Sequence, residues 1–287
     1  MAALLFGAAF PLCRRLAPSW DPVPLAGALY LGSGLGLGVA RLFIRKGAPL
    51  RRIDLPWLAG AVLFGGVLAP IAYVYGSRLT AGYAGALLSN LEIVFTAAIA
   101  VAFFRERLSR RETAALVLLV AGATVVALST VADGDARSSI LGGILVAAAC
   151  LGWGIDNNFT KKIADRDPLQ IASVKGLVAG ATSLGVGLLL GQRVPMQAVS
   201  LAAAGAIGLA CYGISLVLFV LALRKLGSAR ASAVFAVASL SGVAVSWIVL
   251  HEKPRPLAAV GGIVVVACVY WMARLDAAKQ AALRPAD

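Results

Sequence analysis

Charged residues are scarce in this sequence. Asp, Glu, Lys and Arg together make up 14% of its 287 residues, whereas a typical soluble domain contains about 25%. Hydrophobic residues make up 60% of the chain, and the mean hydropathy is +0.89. This balance excludes an ordinary soluble domain and predicts an integral membrane protein.

The common metal, nucleotide and catalytic motifs are also missing. The chain has one histidine and four cysteines, and none of the cysteines has the CxxC or Cys/His spacing of a metal site. Neither an HExxH sequence nor a P-loop is present. The sequence therefore predicts no metal, no cofactor and no catalytic residue, and it argues against an ATP-driven pump. A membrane-embedded enzyme is the alternative from another class, but it needs a close acid–base or nucleophile pair that the sequence does not display.

Acidic residues are half as numerous as basic ones, and the net charge is +13. The Lys and Arg residues occur in short clusters between apolar segments rather than along one face, so they predict loops beside a membrane and no nucleic-acid partner. The expected partners are the lipid bilayer and a small-molecule substrate, with no obligatory protein partner. No Lys or Arg precedes the first apolar run, so a secretory signal peptide is not expected.

Ten apolar segments follow one another, with polar connectors too short to hold a soluble domain. Each segment is predicted to be a transmembrane helix, because in lipid every backbone group needs a hydrogen bond within its own segment. The segments cover residues 1–16, 24–44, 57–77, 80–104, 112–131, 140–160, 168–190, 200–223, 228–250 and 256–274. With both termini in the cytoplasm, the inner connectors and tail hold eighteen Lys and Arg residues and the outer connectors hold seven. This bias predicts cytoplasmic termini.

The two halves of the chain match each other at an offset of 146 or 147 residues. Four short matches occur in the same order: Phe6-Gly7 with Trp153-Gly154, Asp21-Pro22 with Asp167-Pro168, Ser77-Arg78-Leu79 with Arg224-Lys225-Leu226, and Arg105-Glu106-Arg107 with His251-Glu252-Lys253. The offset covers five spans, an odd number, so the second copy enters the membrane from the opposite side. The sequence thus predicts two inverted five-helix repeats, residues 1–133 and 134–287. Transporters of this kind bind substrate near the bilayer midplane, between the halves.

Glu92 is a carboxylate in the middle of an apolar segment. It lies twelve residues from both Thr80 and Phe104, or about 18 Å from either end at 1.5 Å per residue. This position is near the centre of a hydrocarbon layer about 30 Å thick, where an ionisable group faces a protein interior or a water-filled cavity. Small or polar residues share its helix face or the faces beside it, and we predict that the polar ones border a substrate cavity with it: Gly85, Ser89, Thr96, Asn90 and Tyr83.

Two more charges are embedded in apolar segments. Asp156, followed by Asn157, lies near the end of the sixth span, and Lys175 lies on the seventh. Lys175 is predicted either to reach towards Glu92 or to form a structural ion pair with Asp156. Aromatic residues at this depth are usually core, although a rigid ring beside a polar group suits an amphipathic solute. The weaker cavity candidates of this kind include Tyr75, Trp153 and Tyr212.

Each half has a Glu between two apolar segments near its end, in Phe104-Arg105-Glu106-Arg107-Leu108 and in Leu250-His251-Glu252-Lys253-Pro254, and Leu91-Glu92 stands fourteen residues before the first of them. In these motifs, and over its whole length, the chain resembles the EamA-type branch of the drug/metabolite transporter superfamily. Ile93 stands where that family often has a proline.

The resemblance implies ten helices in two repeats and a secondary exporter of the bacterial inner membrane that works by alternating access. Its substrates are expected to be amino acids, including aromatic ones, or another small amphipathic metabolite or drug. A zwitterion needs an acceptor for its ammonium group, for which Glu92 is the candidate. It also needs a donor for its carboxylate, for which Asn90, a Tyr hydroxyl and Lys175 are the candidates.

The two glutamates of the fourth segment differ in one respect. Glu106 has a counterpart in Glu252, whereas the second copy has Ala238-Ser239 at the place of Glu92. A symmetric structural brace is expected twice, so we assign an architectural role to Glu106 and a functional role to Glu92.

Overall fold

The described chain is built from helices and short connectors. The computed structural model describes residues 1–44, 47–105, 108–131, 136–221 and 237–282. Within these ranges there is no β-strand, and the one isolated bridge joins Ala48 to Arg166. The predicted all-helical fold is therefore confirmed for the part of the chain that the structure describes.

The first half contains eight α-helices. They are α1 (Ala2–Gly7), α2 (Ala9–Leu16), α3 (Pro22–Phe43), α4 (Leu55–Ala61), α5 (Ala69–Leu79), α6 (Gly82–Leu88), α7 (Leu91–Phe104) and α8 (Arg110–Val131). A 3₁₀ turn, Arg52–Asp54, precedes α4, and a π-helical segment, Val62–Leu68, joins α4 to α5.

The second half contains six described α-helices. They are α9 (Ala136–Lys162), α10 (Pro168–Leu189), α11 (Ala198–Ile207), α12 (residues 215–221), α13 (Val237–Leu250) and α14 (Pro256–Ala282). A second π-helical segment, Gly208–Ile214, joins α11 to α12.

Eight helical stretches in the described ranges are long and apolar enough to cross a membrane, so the chain is a multi-pass membrane protein. Of the other two predicted spans, residues 1–16 are divided at Ala8 into α1 and α2. In the predicted span 228–250, the helix Ala238–Leu250 is apolar but shorter than a full crossing, and residues 222–236 lie outside the described ranges. The prediction of ten transmembrane helices stays a prediction. Glu106 also lies outside the described residues.

The helix boundaries repeat at the offset seen in the sequence. Moving Pro22–Phe43 forward by 146 residues gives Pro168–Leu189, and moving Leu91–Phe104 gives Val237–Leu250. The π-helical segments Val62–Leu68 and Gly208–Ile214 are related in the same way. The two non-glycine residues described with positive φ, Arg105 at 54° and His251 at 57°, follow the same rule. Helices begin, end and change pitch at matching places in the two halves.

The matching helices α3 and α10 pack directly against each other. A Cβ on Gly27 would meet the backbone of Leu184, and a Cβ on Gly34 would meet the backbone of Gly176 and Leu177. Residue numbers rise along α3 as they fall along α10, so the two helices are antiparallel. Glycine at the contact lets the two backbones approach closely, as is common between membrane helices.

An aspartate precedes each helix of this pair. Asp21 accepts a hydrogen bond from the backbone N–H of Arg193 at 2.7 Å, and this bond lowers the pKa of the Asp21 carboxyl. Asp167 accepts a hydrogen bond from the backbone N–H of Leu169 at 3.0 Å and pairs with Arg41 at 3.1 Å. Each carboxylate therefore joins the beginning of one helix to the end of the other.

The close contact between α3 and α10 predicts a difference between two glycines of the same helix. Gly34→Ala places a methyl group against the α10 backbone, and overpacking of this kind lowers the free energy of unfolding by about 1–3 kcal/mol. Gly38→Ala is the matched control, because nothing lies within 4 Å of a Cβ at that position. We expect a lower midpoint of thermal denaturation in detergent for Gly34→Ala and an unchanged or higher one for Gly38→Ala. Equal midpoints for the two variants would contradict the packing described here.

Candidate functional site

A cavity lies where α1, α3, α7, α9, α10, α12 and the second π-helical segment meet. The space open to the centre of a water molecule is about 60 Å³, which is room for several waters. Both halves of the chain contribute to its wall, and the charged groups come from α7, α9 and α10. The lining residues are Phe6, Tyr30, Glu92, Trp153, Asp156, Asn157, Lys175, Tyr212, Ser215, Leu216 and Phe219.

In the first π-helical segment, the carbonyl of Gly65 is available to side chains of the cavity wall. In this segment the N–H of Ala69 bonds to the carbonyl of Phe64, five residues back. By the same pattern the carbonyl of Gly65 would accept from residue 70, which is a proline and has no N–H. The hydroxyl of Tyr30 donates to the Gly65 carbonyl instead, at 2.6 Å, and the indole N–H of Trp153 donates to it at 3.1 Å. The freed carbonyl thus fixes two aromatic rings of the wall.

Asp156 and Lys175 form a buried ion pair. The Lys175 Nζ donates to Asp156 Oδ2. The Lys175 side chain is 4% exposed and the Asp156 side chain is 7% exposed. The hydroxyl of Thr160, one turn further along α9, donates to Asp156 Oδ1 at 2.9 Å. A Cβ at position 65 would collide with the Asp156 carboxylate, so Gly65 makes room for the pair. Of the two partners considered for Lys175, the structure selects Asp156.

Glu92 lies in the first turn of α7. Its Oε1 accepts a hydrogen bond from Asn157 Nδ2 at 2.6 Å, and the same amide group donates to Thr96 Oγ1 at 3.3 Å. The positive end of a helix dipole favours a carboxylate in a first turn. Gly154 allows α9 to approach this part of α7, since a Cβ there would lie 2.9 Å from the backbone nitrogen of Thr96. Thr96 therefore does not line the cavity itself, but it accepts a hydrogen bond from Asn157, which does.

The break between α6 and α7 explains what Ser89 and Asn90 do. Three backbone hydrogen bonds here span three residues instead of four, from Asn90 to Leu87, from Glu92 to Ser89 and from Ile93 to Asn90. The Asn90 amide donates to the Leu87 carbonyl at 3.0 Å. Both side chains bond to their own helix, and neither lines the cavity. The 3₁₀ turn forms although Ile93 replaces the expected proline.

Ser89 and a cysteine complete this local turn. The hydroxyl of Ser89 donates to the Gly85 carbonyl at 2.8 Å and lies 3.4 Å from the Tyr73 hydroxyl. The thiol of Cys150 lies 3.5 Å from the Ser89 carbonyl oxygen. The Gly85 and Ser89 carbonyls already accept backbone N–H groups, from Ser89 and Glu92 respectively, so these side-chain contacts add second partners in an apolar interior.

Four rings from separate elements meet at the cavity. The ring centroids of Phe6 and Trp153 lie 5.7 Å apart, those of Phe6 and Tyr212 6.4 Å apart, and those of Tyr30 and Tyr212 5.4 Å apart. Trp153 and Tyr212 were predicted to contribute. Tyr30 was missed, although it stands one turn before Gly34 on the face that contacts α10, and that spacing was the available signal.

Other lining residues had no sequence signal, and two predicted tyrosines lie elsewhere. Ser215, Leu216 and Phe219 belong to a uniformly apolar segment, so their spacing did not distinguish a cavity face. Tyr75 accepts a hydrogen bond from Gln192 Nε2 at 3.2 Å, away from the cavity wall. Tyr83 is buried beside Glu252 and Arg255. Neither tyrosine lines the cavity.

The charged groups of the cavity are not repeated in the two halves. At the offset of 146 residues, the counterpart of Glu92 is Ala238, that of Asp156 is Phe10, and that of Lys175 is Leu29. The helix boundaries therefore recur in the two halves, whereas the charged residues of the cavity do not. Within the described residues, no three His, Cys, Asp or Glu side chains lie close enough together to hold a metal ion.

Comparison with known proteins agrees with this architecture. The model of the EamA-like transporter family matches residues 1–128 and residues 140–274. The chain is 27% identical over 292 residues to an "Uncharacterized transporter" of Methanothermobacter thermautotrophicus, with 94% of this chain and 84% of that relative covered. A protein of known crystal structure shares 18% identity and a TM-score of 0.69 over 97% of this chain and 96% of its own. This last likeness shows the fold alone.

The buried ion pair predicts strong coupling between its two members. Asp156→Asn or Lys175→Met alone leaves a charge buried without its partner, which costs about 3–5 kcal/mol. The double variant removes both charges and is expected to be more stable than either single variant. The measurement is the midpoint of thermal denaturation in detergent for all four proteins. If the losses of the single variants simply add in the double variant, the two side chains do not depend on each other.

Proposed function

Because the chain belongs to the EamA-like transporter family, it is a transporter, and we propose that it exports small metabolites across a bacterial inner membrane as a secondary transporter. The observation that carries the proposal is the cavity itself. Groups from both halves of the chain form its wall, and a carboxylate, an ion pair and several rings face one space. Counting residues along the apolar segment predicts that the carboxylate, Glu92, lies near the middle of the membrane. A polar space at that depth, between repeats, is where transporters of this architecture bind their substrates.

Amino acids are the substrates that we propose first. The Glu92 carboxylate offers an acceptor for an ammonium group, and the rings of Phe6, Trp153 and Tyr212 offer an apolar surface for a side chain. Lys175 binds the substrate carboxylate only if its ammonium group contacts that carboxylate and Asp156 at the same time. The Asn90 amide, also considered for that role, donates to its own helix. Another small amphipathic metabolite or drug is the alternative within the same class.

Alternating access is the transport mode that we propose. It requires two structurally equivalent units that rock against each other about a central site. The antiparallel contact of α3 with α10 and the repeated helix boundaries support an inverted repeat of this kind. Glycine at the contact leaves smooth helix surfaces that slide without large side chains having to part.

A membrane-embedded enzyme is the competing class. Glu92 is hydrogen-bonded to an amide and Asp156 is paired with Lys175. The described cavity wall contains no Cys, His or Thr, and the hydroxyl of its serine, Ser215, donates to the Ala2 carbonyl rather than to either acid. Product analysis in a flux assay separates the two classes, because transport leaves the solute chemically unchanged.

Glu92→Gln is expected to leave the protein folded and to reduce transport at least about tenfold, since the amide keeps the shape but loses the charge-assisted hydrogen bond to a substrate ammonium group. The assay is counterflow in proteoliposomes with a panel of labelled amino acids. Glu112→Gln is the matched control. Glu112 accepts from the backbone N–H of Ser109 at 2.6 Å at the beginning of α8, a capping role that Gln also fills. Normal counterflow by the Glu92 variant would remove Glu92 from the mechanism.

The inverted repeat predicts opposite exposure for the connectors that follow α3 and α10. Ala48→Cys and Met196→Cys introduce exposed thiols at these places, while the four native cysteines are all buried. In intact bacterial cells, a membrane-impermeant thiol reagent is expected to label the Met196→Cys protein and not the Ala48→Cys protein. Both proteins are expected to react after permeabilisation. Labelling of both variants in intact cells, or of Ala48→Cys alone, would contradict the proposed orientation.

A further inference from the structure

Most hydrogen-bond donors in the cavity wall already have acceptors within the protein. Tyr30 and Trp153 both donate to the Gly65 carbonyl. The hydroxyl of Ser215 donates to the Ala2 carbonyl at 2.9 Å. None of these three groups offers its proton to a solute without giving up a buried bond, which costs about 1–3 kcal/mol for the group left unpaired.

The remaining neutral polar groups are committed in the same way. The Asn157 amide nitrogen already donates to Glu92 Oε1 and to Thr96 Oγ1. The Tyr212 hydroxyl lies 3.7 Å from Cys13 Sγ, a contact in which either group donates. A phenol turned towards a solute carries no charge, so it does not neutralise a carboxylate.

The ionisable groups of the wall are unbalanced. Two acids, Glu92 and Asp156, face one base, Lys175. The Lys175 charge is already neutralised by Asp156 in a pair that is almost fully buried. Asn157 is the one hydrogen-bond donor that the structure shows on the Glu92 carboxylate, and it is neutral. When all three groups are ionised, their charges sum to one negative charge, and among the described residues no cation forms an ion pair with Glu92, whereas Asp156 is paired with Lys175.

We propose that this cavity selects an organic monocation, a solute with one protonated amine on an apolar or aromatic body and no carboxylate, with Glu92 as the counter-ion of the amine. The inference rests on the proposed transport function and narrows its substrates to amines that share the body of an amino acid but lack its carboxylate. Such a solute brings the charge of the occupied site to zero. Its N–H groups meet the carboxylate, and its body meets the rings of Phe6, Tyr30 and Trp153.

A zwitterion fits these groups less well. Its ammonium group satisfies Glu92, but its carboxylate enters a wall whose neutral donors are in use and whose Lys175 is held by Asp156. A third carboxylate beside these two acids adds repulsion, and the occupied site keeps one excess negative charge in a low-dielectric environment. The amine alone avoids both costs.

The test compares ligand pairs that differ only in the carboxylate. Purified full-length protein in detergent is titrated calorimetrically with phenethylamine and L-phenylalanine, and with tyramine and L-tyrosine. L-phenylalanine amide controls for size, because it fills the same volume as the amino acid while keeping a single positive charge. We expect each amine, and the amide, to bind with a Kd at least about tenfold lower than that of the matched amino acid. An amino acid that binds as tightly as its amine, or no measurable binding of any amine, overturns the inference.

Two variants assign the preference to Glu92. Glu92→Gln is expected to weaken amine binding at least about tenfold and to bring the amine and amino acid affinities together, whereas Glu112→Gln keeps the wild-type preference. Thermal denaturation of each variant reports whether it is folded. The preference for amines is measured on the wild-type protein, so the inference is tested even if the Glu92→Gln protein fails to fold. An amine preference that survives in a folded Glu92→Gln protein contradicts the assignment.

Counterflow with the same ligands separates failure of the inference from failure of the proposed function. Flux of amino acids without preference for amines supports transport and overturns the monocation inference. Flux of the amine and its amide above that of the amino acid supports both. Absence of flux for every ligand, with protein shown to be folded and inserted, contradicts the proposed function, while the calorimetric comparison still decides what the cavity binds.

Discussion

A charge buried within a membrane-spanning bundle is costly unless it is paired, and Asp156 and Lys175 form such a pair almost out of reach of solvent. The pair joins α9 to α10, and α10 in turn packs along α3, so its geometry fixes three elements around one cavity. It also explains the glycine at position 65, where any side chain would occupy the space of the Asp156 carboxylate. The π-helical segment then releases the Gly65 carbonyl for Tyr30 and Trp153. Gly65 thus lies against the ion pair on one side and holds two rings of the aromatic wall through its carbonyl.

Much of this arrangement could be predicted from the sequence, because counting residues along an apolar segment gives the approximate depth of each residue in the membrane. Glu92, Asp156, Lys175 and Trp153 were placed at or near the cavity from their positions along apolar segments, and all four line it. Counting does not give the rotation of one helix relative to another. It therefore left the partner of Lys175 open, since Glu92 and Asp156 were both within reach.

Local backbone geometry limited the prediction in a different way. Ser89 and Asn90 share a neighbourhood with Glu92 in a regular helical projection, but the 3₁₀ turn between α6 and α7 directs their side chains to carbonyls of their own helix. The two π-helical segments are likewise not visible as a change in hydrophobic pattern. The repeat was visible in four short matches, and the matching helix boundaries extend it well beyond those residues. The first apolar run is interrupted at Ala8, between α1 and α2, and its apolar pattern does not report this interruption.

The contacts of Glu252 and Glu92 differ, because Glu252 joins several helices and Glu92 faces the cavity. Glu252 accepts from Arg14 at 2.9 Å, from the backbone N–H of Gly82 at 2.6 Å and from Ser246 at 3.1 Å, and so it ties α2, α6 and the end of α13 together. That carboxylate has a sequence counterpart in the other half, as a joint between helices in a repeated framework should. Glu92 has no counterpart, contacts a single neutral donor and faces open space. Alternating access, the transport mode proposed above, needs two equivalent units, and the repeated helix boundaries are consistent with such units. An asymmetric lining, in turn, gives a bound solute a defined orientation.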